Sequence, residues 1–121
     1  MKKVLIIEDE RISAIRLEKL IHEIDDTIEV EGPLVSVLEV VEHLRRHNDY
    51  DLIFADIRLS DSDVFTAFQE IMSASFVIFT TAYDEYAMQA IKNHGIDYLF
   101  KPIVEKDLRQ AIQKLSLGVR E

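Results

Sequence analysis

Tyr50-Asp51-Leu52-Ile53-Phe54-Ala55-Asp56 decides the fold: it is an apolar run of strand length, Leu52 to Ala55, that ends abruptly on a carboxylate. A strand covered on both faces reads as near-continuous apolar sequence. The run therefore predicts a buried strand with Asp56 where the chain leaves the sheet, the place at which open α/β sheets bind their ligands. Lys3-Val4-Leu5-Ile6-Ile7-Glu8-Asp9 has the same form. Two such strands at one sheet edge would gather Glu8, Asp9 and Asp56. At an effective protein dielectric, like charges ~4 Å apart repel by roughly 4 kcal/mol, so a positive group is needed among them.

Toward the amino end, Ile12, Ile15, Leu20, Ile21 and Ile24 recur at helical spacing and predict a first helix over about residues 11–25, ended by Asp25-Asp26. Thr27 to Glu31 alternates apolar and polar, with Ile28 and Val30 on one face, and predicts an edge strand closed by a turn at Gly32-Pro33. Ser36 and Glu39 have capping-box spacing and open a second helix to about His47. Toward the carboxyl end, Val64, Phe65, Phe68, Ile71 and Met72 carry a helical stripe. Phe76 to Thr80 predicts a fourth buried strand, ending on hydroxyls. Ala87, Ala90 and Ile91 mark a fourth helix that Gly95 can end. Asp97 to Phe100 predicts a fifth strand, ending on Lys101, and Leu108, Ala111, Ile112 and Leu115 predict the last helix, with Gly118 past its end.

Strands alternating with helices define an α/β chain with a mostly parallel sheet, and βα units repeated through 121 residues fit a doubly wound sandwich. Right-handed crossovers put every strand's carboxyl end on one rim. That rim would carry Glu8, Asp9, Asp56, Thr80 or Thr81, and Lys101.

A length of 121 residues suits one domain, 1–121, able to bury a core without staples. There is no cysteine, which excludes disulfides and thiolate metal sites. The formal charge of −9 opposes nucleic-acid binding by this segment, so DNA contact would require another domain. The apolar run Val4 to Ile7 is too short for a signal-peptide core or a membrane span, and a soluble, cytoplasmic protein is the expectation.

The rim's chemistry suits a phosphoryl group and a hard divalent cation. Mg2+ takes oxygen ligands, keeps several waters and needs only one or two carboxylates, which Asp9 and Asp56 can supply. A carboxylate is also a competent nucleophile toward phosphorus. Lys101 supplies the positive charge, and a cis bond to Pro102 would aim it across the rim. His22, His43, His47 and His94 fall in predicted helices and are assigned no role as ligand or phosphodonor.

Glu8-Asp9, Asp56, Thr81-Ala82 and Lys101-Pro102, at these spacings, resemble the receiver domain of bacterial two-component response regulators over essentially the whole chain. The resemblance implies a flavodoxin-like (βα)5 fold with strand order 2-1-3-4-5. It implies Asp56 as phosphoacceptor from a sensor histidine kinase, Asp9 as a direct Mg2+ ligand, Glu8 acting largely through water and the Arg58 main-chain carbonyl as a further ligand. Thr81 would bond the phosphoryl oxygen and Tyr98 would rotate inward, although Tyr98 also fits a half-buried sheet aromatic. The face of the fourth helix, fifth strand and last helix would change its partner and dimerise, with Tyr86, Lys92 and Arg109 as candidate contacts.

Phe79-Thr80-Thr81-Ala82-Tyr83-Asp84-Glu85-Tyr86-Ala87 and Ile96-Asp97-Tyr98-Leu99-Phe100-Lys101-Pro102-Ile103 are similar to receivers of the LytTR group, which usually precede a DNA-binding domain. The expectation is a receiver excised from a longer regulator or a stand-alone one. The chain departs from many receivers at Ser60, where they have proline, and near Ser62, where related sequences often have glycine. Two rival readings are a Mg2+-dependent phosphohydrolase with an aspartate nucleophile and a non-phosphorylated interaction module. The first usually needs an acid two residues after the nucleophile, where this chain has Arg58. A flavin-binding protein is disfavoured because no glycine- and hydroxyl-rich phosphate loop follows the first strand.

Overall fold

Every residue of β3 (Leu52–Asp56) is buried, and the strand pairs on one side with β1 (Lys3–Ile7) and on the other with β4 (Phe76–Thr81). The computed structural model describes residues 3–70, 76–82 and 97–116. The remaining elements are α1 (Arg11–Ile24), β2 (Glu29–Leu34), α2 (Val37–Arg46), α3 (Phe65–Glu70), β5 (Asp97–Phe100) and α4 (Glu105–Ser116). The strands form one parallel sheet in the order β2-β1-β3-β4-β5, as the resemblance implied. The predicted fourth helix, and with it Ala87, Ala90, Ile91, His94 and Gly95, lies outside the described residues, as do Ile71, Met72 and Gly118.

Side chains alternate across a strand, so each central strand feeds two cores. Leu5, Ile7, Ile53, Ala55, Val77 and Phe79 pack with Val40, Val41 and Leu44 of α2 and with Phe65 and Phe68 of α3. Val4, Ile6, Leu52, Phe54, Ile78 and Leu99 face Ala14, Leu17 and Ile21 of α1 and Leu108, Ala111 and Ile112 of α4. The sheet is thus covered on both faces, which is why Val4 to Ile7, Leu52 to Ala55 and Phe76 to Phe79 are continuous apolar runs. Because the strands are parallel, their carboxyl ends share one rim.

Two details correct the sequence-based expectations. Ile12 and Ile15 are 79% and 57% exposed, and α1 buries Ala14, Leu17 and Ile21 instead, with Leu20 and Ile24 partly covered. A 14-residue helix with apolar groups on more than one side can present either to a sheet, and here it presents Ala14, Leu17 and Ile21. The second correction is that β2 does not stop at Gly32-Pro33 but runs to Leu34. Between the pairs Leu5–Glu31 and Ile7–Leu34, β2 carries one extra residue, a bulge. Gly32 has φ +103°, and a Cβ there would stand 2.5 Å from the Ile6 carbonyl oxygen, so only glycine fits this bulge. Pro33 is tolerated because β2 is an edge strand.

The capping box at α2 is present in a shifted form. Ser36 Oγ accepts from Glu39 N at 3.1 Å, while Glu39 Oε1 accepts from Val35 N at 2.9 Å, one residue earlier than the usual pattern.

Candidate functional site

The carboxyl rim brings Glu8, Asp9, Asp56, Thr81 and Lys101 around one open cavity of about 270 Å³, together with Glu10, Arg58 and Ala82. Glu8 leaves β1 with its N–H donating to Leu34 O at 2.9 Å, which fixes the backbone where the side chain turns under the rim. Its carboxylate is 4% exposed as a residue and accepts from Glu10 N at 3.1 Å through Oε2. Asp56 ends β3, is also buried, and accepts from Arg58 N at 3.3 Å through Oδ1.

Lys101 follows β5 directly, and its N–H donates to Thr81 O at 2.8 Å, continuing the β4–β5 pairing past the strand ends. The Lys101–Pro102 bond is cis, as the sequence suggested. From this base the ammonium reaches Glu8 Oε1 at 2.7 Å and Asp56 Oδ2 at 3.1 Å. One cation is therefore shared by two buried acids.

Asp9 is exposed beside this pair, and one oxygen from each of Glu8, Asp9 and Asp56 lies within 4.8 Å of the others. Three carboxylates against one ammonium leave the cluster short of positive charge. The Glu8 carboxyl is pushed up to about 7, first by burial and then by hydrogen bonding with Asp56, against the opposing pull of Lys101. Burial disfavours the Lys101 ammonium, but the hydrogen bond to Glu8 and the charges of Asp56 and Glu8 outweigh it and raise Lys101 above its ordinary value. Hard oxygen donors with unmet negative charge, two buried and one facing solvent, fit a Mg2+ ion that keeps part of its water shell.

The remaining candidates sit as follows. Thr80 and Thr81 are both buried, yet Thr81 lines the cavity, while Thr80 pairs with Asp56 in the sheet register. Tyr98 is half-buried against the core under α2 and α3, with its ring 5.1 Å from that of Phe100. Arg109 lies on α4 and pairs with Glu105 one turn before it. Tyr86 and Lys92 lie outside the described residues. His22, His43 and His47 are on or at the end of helices and none lines the rim cavity. Sequence reasoning missed Asp61, whose carboxylate accepts from Val37 N at 2.8 Å and Leu38 N at 3.3 Å across a separation of 24 and 23 residues. The loop it belongs to carries Arg58, and no local signal could have found that partner.

A doubly wound parallel sheet with two acids after β1, one at the end of β3 and a lysine after β5 defines a receiver-type architecture. The sequence model described as the response regulator receiver domain matches residues 4–113, and the chain belongs to that family. It is 32% identical over 117 residues to the sensory transduction protein LytT of Bacillus anthracis, covering 94% of this chain and 47% of that protein. It is 35% identical over 116 residues to the transcriptional regulatory protein LytR of Staphylococcus aureus, covering 93% of this chain and 46% of that protein. The chain thus spans about half the length of these curated relatives.

Among solved structures, the response regulatory domain of mrkE from Klebsiella pneumoniae superposes with a TM-score of 0.82 at 31% identity, over 96% of both chains. A two-component response regulator from Clostridium difficile gives a TM-score of 0.83 at 25% identity, over 100% of both. Among the described residues, no helix is long and apolar enough to cross a membrane.

Proposed function

We propose that this chain is a phosphorylation-controlled switch in which Asp56 accepts a phosphoryl group from a phosphohistidine of a sensor histidine kinase. The Asp56 carboxylate attacks phosphorus, the phosphorus–nitrogen bond breaks, and the departing imidazole keeps the electron pair and takes a proton. The observation that carries this reading is the bridge of Lys101 between Glu8 and Asp56 at 2.7 and 3.1 Å, on the open side of which Asp9 faces solvent.

In this reading Asp9, Asp56 and the Arg58 carbonyl hold Mg2+, with Glu8 acting through water. The ion would supply charge neutralisation to the phosphoryl oxygens. Lys101 exchanges part of its contact with Asp56 for a phosphoryl oxygen, and Glu8 keeps the ammonium oriented. Thr81 donates its hydroxyl to a second oxygen, and Tyr98 follows into the space Thr81 leaves. The added charge biases a packed element with two arrangements, the face carrying Tyr98, Phe100 and α4. That face would then dimerise.

The protein is a signalling phosphoacceptor rather than a turnover enzyme, with slow self-catalysed loss of the phosphoryl group. The LytT and LytR relatives are about twice the length of this chain, which supports a longer regulator; in this proposal a LytTR-type DNA-binding domain follows the receiver, as the sequence resemblance implies, and the protein works in the cytoplasm. The acidic charge of −9 leaves DNA contact to that second domain.

Acetyl phosphate with Mg2+ should add one acid-stable, base-labile phosphoryl group, detected by intact mass, and Asp56→Asn should abolish it. Sustained hydrolysis of small phosphate esters would instead favour the phosphohydrolase. Absence of labelling in the wild type would favour an interaction module that keeps only the fold.

A further inference from the structure

The loop between β3 and α3 carries Arg58 to the cavity and is held in three places. At its start, Ile57 N donates to Thr80 O at 3.0 Å, and Ile57 and Leu59 are buried. At its end, Val64 N donates to Ile57 O at 2.7 Å and Leu59 N to Ser62 O at 2.9 Å, while Arg58 and Asp63 pair as an antiparallel bridge. These bonds close the loop on itself. Its tip is joined to the rest of the molecule through α2, by Asp61 on the amides of Val37 and Leu38 and by Ser60 Oγ donating to Val35 O at 3.4 Å.

Asp61 is exposed, so packing does not require an acid there. Its carboxyl is held below its ordinary value by those backbone amides, Val37 first. The amino end of α2 also has its own cap in Ser36 and Glu39, which serve Glu39 N and Val35 N. The helix therefore ends on two devices, one local and one reaching from the phosphoacceptor loop. A carboxylate spread over two successive amides fixes direction as well as distance, so the loop tip cannot swing about its buried anchors without breaking it.

We infer that Asp61 is a positioning residue for the phosphoacceptor loop: by tying the tip to α2 it fixes where the Arg58 carbonyl stands at the cavity, and so sets the affinity for Mg2+. The inference rests on the reading of the site given above. Ser36→Ala provides the control, since it removes the other cap of the same helix and leaves the loop tie in place. Asp61→Asn keeps the acceptor for one of the two amides and loses the other, so it serves as the intermediate variant.

Mg2+ titration of the full chain by calorimetry should show a roughly fivefold weaker affinity for Asp61→Ala, the equilibrium equivalent of one lost cap. Ser36→Ala should bind as the wild type does although its urea midpoint falls comparably, and Asp61→Asn, with one of the two amide bonds left, should fall between the wild type and Asp61→Ala. Wild-type affinity in Asp61→Ala, an equal loss in Ser36→Ala, or a loss in Asp61→Asn as large as in Asp61→Ala would each overturn the inference. Amide exchange without metal provides a separate readout: Asp61→Ala should speed exchange of the Arg58 and Leu59 amides, and Ser36→Ala should not. Wild-type protein that took up no Mg2+ would sink the proposed function, and with it the claim on affinity. Unchanged exchange in Asp61→Ala would sink the tether itself.

Discussion

The two ends of the sheet carry the same chemistry in different surroundings. At the carboxyl rim, Lys101 meets Glu8 and Asp56, whose side chains are 5% and 11% exposed. At the amino end, Lys3 meets Glu31 and Asp49 at 3.6 and 3.1 Å, but those side chains are 36% and 69% exposed. Both sets are a lysine shared by two acids. The difference is water: near the surface the pairs are screened, while below the rim each charge depends on its partners. Charge clusters of equal composition can therefore be mutually dependent at one end and individually solvated at the other, and burial separates them.

The largest expected effect comes from removing the buried cation. Lys101→Met leaves Glu8 and Asp56 facing each other without a counter-charge. Breaking a fully buried pair costs about 3–5 kcal/mol; because Glu8 can take up a proton, the loss here should be about 2 kcal/mol. A urea melt at neutral pH reads the stability, and labelling by acetyl phosphate should fall to background. A variant that stays stable and phosphorylates normally would place the rim in the same class as the amino end.

Next in size is the pH dependence of the rim. Glu8 is raised from 4.5 to about 7 in the folded metal-free protein, so between those values the folded state holds a proton that the unfolded state has released. Its contribution to stability is fully present below about pH 4.5 and is lost as pH rises through about 7. Allowing for screening on the open side of the cavity, the loss should be on the order of 2 kcal/mol. The clean measurement is the difference between wild type and Glu8→Gln across pH 4.5–8 with chelator present: near zero at the acid end, and in favour of Glu8→Gln at the alkaline end. A flat difference would mean that Glu8 is no more perturbed than the acids around Lys3.

What the sequence made legible follows the same division between local and distant causes. Glu8, Asp56 and Lys101 could be read because each ends an apolar run, and a buried strand announces both its path and its end. The cavity was therefore placed from topology. The face of α1 could not be read, since Ile12 and Ile15 continue the helical stripe in sequence but the sheet accepts Ala14, Leu17 and Ile21. Gly32-Pro33 carried a turn signal that an edge strand absorbed as a bulge. Asp61 looked like one more acid in a polar loop, and its role depends on amides 24 and 23 residues earlier.

A smaller effect is expected at the amino end from Tyr50, which is buried and joins the two sides of that cluster. Its hydroxyl donates to Glu31 Oε1 at 2.6 Å, and His43 Nε2 stands 2.6 Å from the same oxygen. Burial first, and then the bond to Glu31, push the hydroxyl's ionisation well above its ordinary range, so it stays a donor at every working pH. Tyr50→Phe keeps the ring and loses the bond to Glu31 together with the contact to His43 Nε2, both of which water can partly replace. It should cost about 1 kcal/mol and leave phosphorylation unchanged.

The smallest effect is assigned to Lys3→Met. Lys3 has the same number of acid partners as Lys101 and also lies 5.2 Å from the centre of the Tyr50 ring. By a count of contacts the two lysines would matter equally. Lys3, however, faces acids that water already solvates, and the methionine keeps most of the apolar stem over the tyrosine ring. The urea midpoint should stay within error of the wild type. Any shift seen at low ionic strength should vanish near 0.5 M salt, where screening acts over about 4 Å. A salt-resistant loss comparable to that of Lys101→Met would show that the amino end works as a buried cluster, and burial would no longer be what separates the two ends of the sheet.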